Sequence, residues 1–179
     1  MLDPGHGGKD PGAITKGLQE KEIVLKIGLF AEKFLLDNYL VEVKMTRKTD
    51  IFLSLNERTN LANKFYADLF VSIHVNSGEK GTGFESFIYL KTPEETYEFQ
   101  KVLHSEMQNF YKLFNLRDRG MKRADLYVLK HTKMSAILTE NLFIQRDESL
   151  LRNDVFLKSV GEAHAKGIAK VLKLKKNDK

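Results

Sequence analysis

Cysteine is absent from the sequence. That one absence excludes disulfides, thiolate metal sites and a cysteine nucleophile, so any metal site has to be assembled from His, Asp and Glu. No apolar run approaches the roughly 18 residues that a membrane-spanning helix needs, so no membrane span is expected. The N-terminus has neither the basic segment nor the apolar stretch of a signal peptide. No low-complexity linker or internal repeat interrupts the chain, and one domain with a substantial core is expected from 179 residues, 42% of them hydrophobic. Acidic residues are outnumbered, 24 against 29 basic ones, for a net charge of +5. That excess suits a polyanionic setting such as nucleic acid, anionic lipid or an anionic cell wall, or a basic surface that is merely solvated. An aromatic–basic nucleic-acid motif is missing, so no nucleic-acid partner is expected.

What is present is concentrated at the start. "MLDPGHGGKDPGAI" holds four of the 12 glycines before residue 13, with His6 among them. A dinucleotide fingerprint fails because Asp10 stands where the third glycine belongs. A P-loop fails because Gly8-Lys9 is followed by Asp10 and position 3 is Asp. Asp3 and Asp10 would also repel a phosphate. The glycines instead allow positive φ and close backbone approach, which can leave a histidine exposed at a strand end. Only Met1-Leu2 remains to form the strand that leads into this loop.

Helical spacing of Ile23, Ile27, Phe30 and Phe34 predicts a helix through "KEIVLKIGLFAEKFLLDNY". Val41, Val43 and Met45 alternate in "VEVKMTR", as in a half-buried strand. Ser54 and Glu57 form a capping box ahead of a helix through "LNERTNLANKF". "ADLFVSIHV" reads as a central strand and "GTGFESFIYL" as another. Thr92 as N-cap, Pro93 at the first helical position and Glu95 open a long amphipathic helix to about Phe114. "DLYVLK" and "SAILTENLFI" read as two further strands, and "DVFLKSVGEAHAKGIAKVLKLK" as a terminal helix. The alternation predicts an α/β fold: a single-domain three-layer sandwich with a twisted, largely parallel or mixed central sheet flanked by helices.

In open α/β sheets sites form at the carboxyl ends of strands, and His6, His74 and Glu140 fall at such places. Glu140 lies within an apolar run, where a carboxylate is unusual without a partner. Two strand-end histidines with a carboxylate would be a His₂Glu set, the ligand class of hydrolytic zinc sites, although the residues are scattered and there is no local H-E-x-x-H. His104 and His164 fall within amphipathic helices and His131 in a basic turn, so all three read as structural or solvated.

"LDPGHGGKDPGAI", "GLQEKEIVLKIG", "VEVKMTRKTD", "LNERTNLAN", "FVSIHVNS" and "RGMKRADLYVLKHTKMSAILTENLFI" follow one another in an order that resembles the zinc-dependent N-acetylmuramoyl-L-alanine amidases of the third amidase class, the catalytic domains of bacterial autolysins and many phage endolysins. The resemblance runs along nearly the whole chain. It implies one zinc ion held by His6, by Glu20, the first Glu of "QEKE", and by His74, with Glu140 as general acid–base. By pattern alone Glu20 is a first-turn carboxylate at a helix start. Family members often carry Gly and Ser-Asn near the last motif, whereas this chain has Asn141 and "FIQRD"; Glu140 is intact. The implied reaction is hydrolysis of the amide between N-acetylmuramic acid and the first L-alanine of the stem peptide, at the bacterial cell wall. A catalytic domain over 1–175 is expected, with 176–179 beginning a linker or tail. The implied partner is peptidoglycan, the chain acting as a monomer. The basic segment "NLRDRGMKRADLYVLKHTK" is placed to meet stem-peptide carboxylates or anionic wall polymers. Asp3, Asn76 and Arg47 are candidates for orienting the imidazoles. The metal set alone would equally allow a stem-peptide peptidase or a sugar deacetylase. A silent wall-binding domain would be expected to have lost ligands.

Overall fold

In the computed structural model, which describes residues 1–177, a five-stranded sheet has the order β1-β4-β7-β5-β6. Its strands are β1 (Leu2–Pro4), β4 (Leu69–Asn76), β5 (Phe84–Ile88), β6 (Asp118–Arg123) and β7 (Ser135–Phe143), and β2 (Ile14–Thr15) and β3 (Leu18–Gln19) form a separate small hairpin. β1, β4 and β7 run parallel, β5 is antiparallel to β7, and β6 runs parallel to β5. The sheet is therefore mixed, with its two longest strands, β4 and β7, paired at the centre.

Three long helices cover one face: α1 (Glu20–Asn38), α3 (Glu94–Lys112) and α6 (Asp154–Val171). α1 buries Ile23, Val24, Ile27, Ala31 and Leu35, which recur at the three- and four-residue spacing of one helix face. Each large aliphatic side chain buried this way contributes roughly 1.5–3 kcal/mol relative to exposure. Asn153 caps α6 by accepting hydrogen bonds from the N–H groups of Val155 and Phe156. The other face carries α2 (Leu55–Lys64) and the single turn α4 (Tyr127–Lys130), over a smaller cluster of Ala62, Phe70, Val128, Leu129, Ala136 and Leu138. A further turn, α5 (Glu148–Leu151), precedes α6.

This second face positions the site. Side chains alternate along a strand, so residues that share parity with Phe70 on β4 and with Ala136 and Leu138 on β7 point toward α2 and α4. His74 and Glu140 have that parity. Thr139 and Asn141 point the opposite way, where they bond His164 of α6 and Tyr111 of α3.

Several expectations are corrected. "VEVKMTR" is not a strand: Met45 makes one isolated parallel bridge to Leu2, supported by Leu2 N–H to Lys44 O and Thr46 N–H to Leu2 O. β1 has only three residues, which leaves little edge to pair with. "DLYVLK" folds as α4, because the adjacent Val128 and Leu129 both go into the cluster under α2, which alternation cannot do. "DRGMKR", inside the basic segment for which the sequence pattern predicts no element, is the edge strand β6. The N-cap of α3 is Pro93 rather than Thr92. Lys176 bridges Tyr39, and Asn177 bonds the carbonyls of Asn38 and Leu36, so these two residues are tied to the end of α1. The rest of the expected tail, 178–179, lies outside the described residues.

Candidate active site

The glycine-rich loop leaves β1 and turns sharply, with His6 itself at φ 57°. A non-glycine residue there is held against a conformational cost, and two buried arginines do the holding. Arg47 donates to the carbonyls of Pro4, Gly5, Lys21 and Thr49. Arg58 of α2 donates to the carbonyls of Pro4 and His6 and to Asp3, which is itself 1% exposed. Asp3 also accepts from the hydroxyls of Thr46 and Ser72. Lowering of Arg47 to about 10 reflects its burial first and the neighbouring Arg58 second; it stays charged at any physiological pH.

Glycine is required here for space as well as for φ. A Cβ on Gly5 would lie 2.2 Å from Cε1 of His74, and one on Gly12, at φ 65°, would lie 2.6 Å from Oε2 of Glu20. The loop is bare so that these two side chains can lie against its backbone.

Glu20 opens α1 and points back under the loop. Its Oε1 is 3.1 Å from Nε2 of His6 and 3.0 Å from Nδ1 of His74. Val75 N–H donates to Oε1 at 3.0 Å and Ala13 N–H to Oε2 at 2.9 Å, so backbone fixes the carboxylate from two sides. The donor atoms of His6, Glu20 and His74 all lie within 4.8 Å of one another, and this group could hold a metal ion. The other nitrogen of His6, Nδ1, bonds Asp10 at 2.9 Å, and that pairing turns Nε2 inward. Burial opposes charging His6, but Glu20 and Asp10 outweigh it and raise it to about 8. Burial would raise Glu20, yet the two imidazoles hold it well below the usual carboxylate range. His74 is raised by Glu20 and Glu140 in spite of its burial.

Glu140 stands one strand over, as the register partner of His74 on one side and of Glu85 on the other. The three side chains form a row across β4, β7 and β5. Burial pushes Glu140 up to about 7, His74 opposes that, and the carboxylates of Glu20 and Glu85 reinforce it. Its Oε2 is enclosed and accepts no hydrogen bond among the described residues. Just beyond it, Leu142 sits at φ 71° where the β4–β7 register shifts, and such bulges re-aim side chains near sites. Glu85 is 3% exposed and is satisfied by Asn76, Arg119 and Lys122. On the opposite flank a cavity of about 390 Å³ opens between Phe52, Leu55, Tyr127 and Val128, with His6 and His74 in its wall.

A buried carboxylate beside a three-donor group, two of whose members line an apolar cavity, is an arrangement that could support metal-assisted hydrolysis. A family model described as N-acetylmuramoyl-L-alanine amidase matches residues 1–170. The chain belongs to this family. The domain is accordingly a carbon–nitrogen amide hydrolase. It is 50% identical, over 98% of its length and 66% of the relative's, to an endolysin of Bacillus phage SPP1. It is 44% identical to a sporulation-specific N-acetylmuramoyl-L-alanine amidase of Bacillus subtilis, over 98% of this chain and 69% of that one. It thus spans about two thirds of the length of these relatives. Among solved structures, an N-acetylmuramoyl-L-alanine amidase from Clostridium difficile superposes with a TM-score of 0.90 at 31% identity, covering 96% of this chain and 95% of that one. The catalytic domain of the amidase CwlV from Bacillus (Paenibacillus) polymyxa gives 0.88 at 32% identity, covering 97% of each.

Of the residues singled out in the sequence, the amidase fold brings His6, Glu20 and His74 to one point and sets Glu140 beside them. Asp3, Asn76 and Arg47 have other roles: Arg47 and Asp3 clamp the loop, Asn76 bonds Glu85, and none of the three bonds an imidazole. The residue that does is Asp10, four positions after His6 in the same loop. Glu85 was also missed, although "GFESFI" carries the same signal as "ILTENLF", a carboxylate in an apolar run. His104 makes a chain that looks catalytic, Ser86 Oγ to Nδ1 at 2.8 Å and Nε2 to Asp118 at 3.1 Å. Ser86 is fully buried under α3 and cannot meet a substrate; the chain ties α3 to β5 and β6.

Proposed function

We propose that the domain holds one zinc ion through His6, Glu20 and His74 and hydrolyses the amide between N-acetylmuramic acid and L-alanine in peptidoglycan, with Glu140 as general acid–base. The observation that carries this reading is the convergence of two imidazole nitrogens on one carboxylate oxygen, with an unpartnered carboxyl oxygen of Glu140 one strand away. Zinc fits this donor set: two neutral nitrogens and one carboxylate, without sulfur, are the ligands of hydrolytic sites that keep a position open. When bound, zinc supplies Lewis acidity, polarising a carbonyl and bringing the pKa of water to about 7.

The chain's own residues do the rest. Asp10 and the backbone amides on Glu20 fix the donors before the ion arrives, so little reorganisation accompanies binding. Glu140, near neutrality, can accept a proton from the attacking water as a carboxylate and return it to the departing alanine nitrogen as an acid. As part of an autolysin or endolysin, the domain would work on the bacterial cell wall.

Metal analysis and turnover of the Glu140→Gln variant test the reading together. The variant is expected to keep one zinc per chain and to lose about a hundredfold or more in rate, while His74→Ala loses the zinc. A Glu140→Gln protein active within a few-fold of the parent would remove Glu140 from this role.

A further inference from the structure

Beyond Glu140, on the side away from the apolar cavity, the row across the sheet ends in two cations. Arg119 and Lys122 of β6 both donate to Oε2 of Glu85, Arg119 through Nε at 3.0 Å. Asn76 satisfies the other oxygen, Oε1. Two cations face one carboxylate, so the cluster keeps one positive charge. Each cation is also set over an aromatic ring, Arg119 at 4.7 Å from the Phe143 centroid and Lys122 at 5.6 Å from that of Phe87. The side chains remain reachable, Arg119 at 26% and Lys122 at 39% exposure.

The manner of anchoring matters more than the charge. Arg119 is gripped through Nε, and its two terminal nitrogens have no protein partner among the described residues. A guanidinium held from behind, with its fork outward, is ready for a bidentate carboxylate. Burying Glu85 costs free energy unless it is paired, and from β5 it draws in two cations of β6, a strand two spacings, roughly 9.6 Å, from the strand of Glu140.

We propose that Arg119 and Lys122 form a carboxylate-binding subsite for the peptide on the amine side of the scissile amide. This rests on the amidase reading above. It also orients the substrate: the acidic peptide lies across β5 and β6, and the acyl side with its sugar faces the cavity of Phe52, Leu55 and Tyr127. The arrangement gives the domain a preference for stem peptides that carry a free carboxylate close to the cleaved bond.

The test compares two soluble substrates on the zinc-loaded protein, N-acetylmuramoyl-L-alanyl-D-glutamine, whose α-carboxylate is free, and its α-amide, in which an amide replaces that carboxylate and no free carboxylate remains. The parent is expected to favour the acid about tenfold in kcat/KM. Arg119→Ala should bring that ratio near one, Lys122→Gln should lower it, and Arg119→Lys should restore part of it. Each single variant leaves Glu85 one cation, and thermal unfolding checks that the fold is kept. A parent ratio near one, or losses equal on both substrates, would overturn the subsite while leaving the amidase reading in place. Loss confined to binding of whole walls would also overturn it and reassign the pair to an anionic wall polymer. A parent that cleaves neither substrate would overturn the amidase reading itself.

Discussion

Asp10 and His6 illustrate how far a single pair reaches. Asp10 is not in the donor set, yet it fixes which nitrogen of His6 faces inward and helps raise that histidine to about 8. Asp10→Ala is therefore expected to weaken zinc by roughly 10- to 100-fold, measured by competition with a chelating dye. His6 must be neutral to bind, so in the parent zinc affinity should fall as pH drops below about 8, and the same protons should appear in calorimetry as buffer-dependent heat. The metal-free fold responds in the opposite direction. Because His6 is raised above its unfolded value of 6.5, its stabilisation is complete below that pH and is lost as pH rises through about 8. Gly5→Ala places a Cβ 2.2 Å from His74; zinc affinity should drop with little change in secondary structure by circular dichroism. His6, His74 and Glu140 were legible as strand-end chemistry in the sequence. Glu20 was not, because a first-turn glutamate looks the same whether it caps a dipole or faces two histidines 14 and 54 residues away in sequence.

Among the elements, β7 and α6 are joined by a neutral histidine. His164 is fully buried, donates from Nδ1 to the Val160 carbonyl, and meets the Thr139 hydroxyl at 3.1 Å through Nε2. Burial lowers it to about 4. A folded-state value below the unfolded 6.5 means that its contribution is present above pH 6.5 and is lost as pH falls through 4, about 3 kcal/mol in all for a group with no solvent contact. Urea unfolding of the chelated protein at pH 7 and pH 4.5 should show this loss, and His164→Gln should remove that part of it. A pH dependence identical in the two proteins would contradict the assignment. Long elements were readable in the sequence because periodicity accumulates: α1, α6, β4 and β7 stand where the apolar pattern put them. β6 was not, since an edge strand with Met121 as its one large apolar residue shows no alternation. The α4 segment shows strand-like alternation because Leu126, its N-cap, and Val128, in its single turn, are apolar two residues apart.

For the molecule as a whole, the sheet order places function along one line. The loop after β1, then β4, β7, β5 and β6 contribute His6, His74, Glu140, Glu85 and the cationic pair in turn, and α1 brings Glu20 from beneath. This convergence follows from strand pairing across long sequence separations, so a local reading could name candidates but not assemble them. One face therefore grades from an apolar cavity through the three-donor centre to Arg119 and Lys122, the order in which the proposed subsite would set the acyl and peptide sides of the substrate. The central claim concerns which bond this line of residues breaks. Digestion of purified peptidoglycan, with and without a chelator, followed by identification of the new chemical ends, tests it most directly. The account predicts new N-terminal L-alanine without new reducing sugar, abolished by the chelator and restored by zinc. New amino ends elsewhere in the stem peptide, or release that the chelator does not touch, would contradict it.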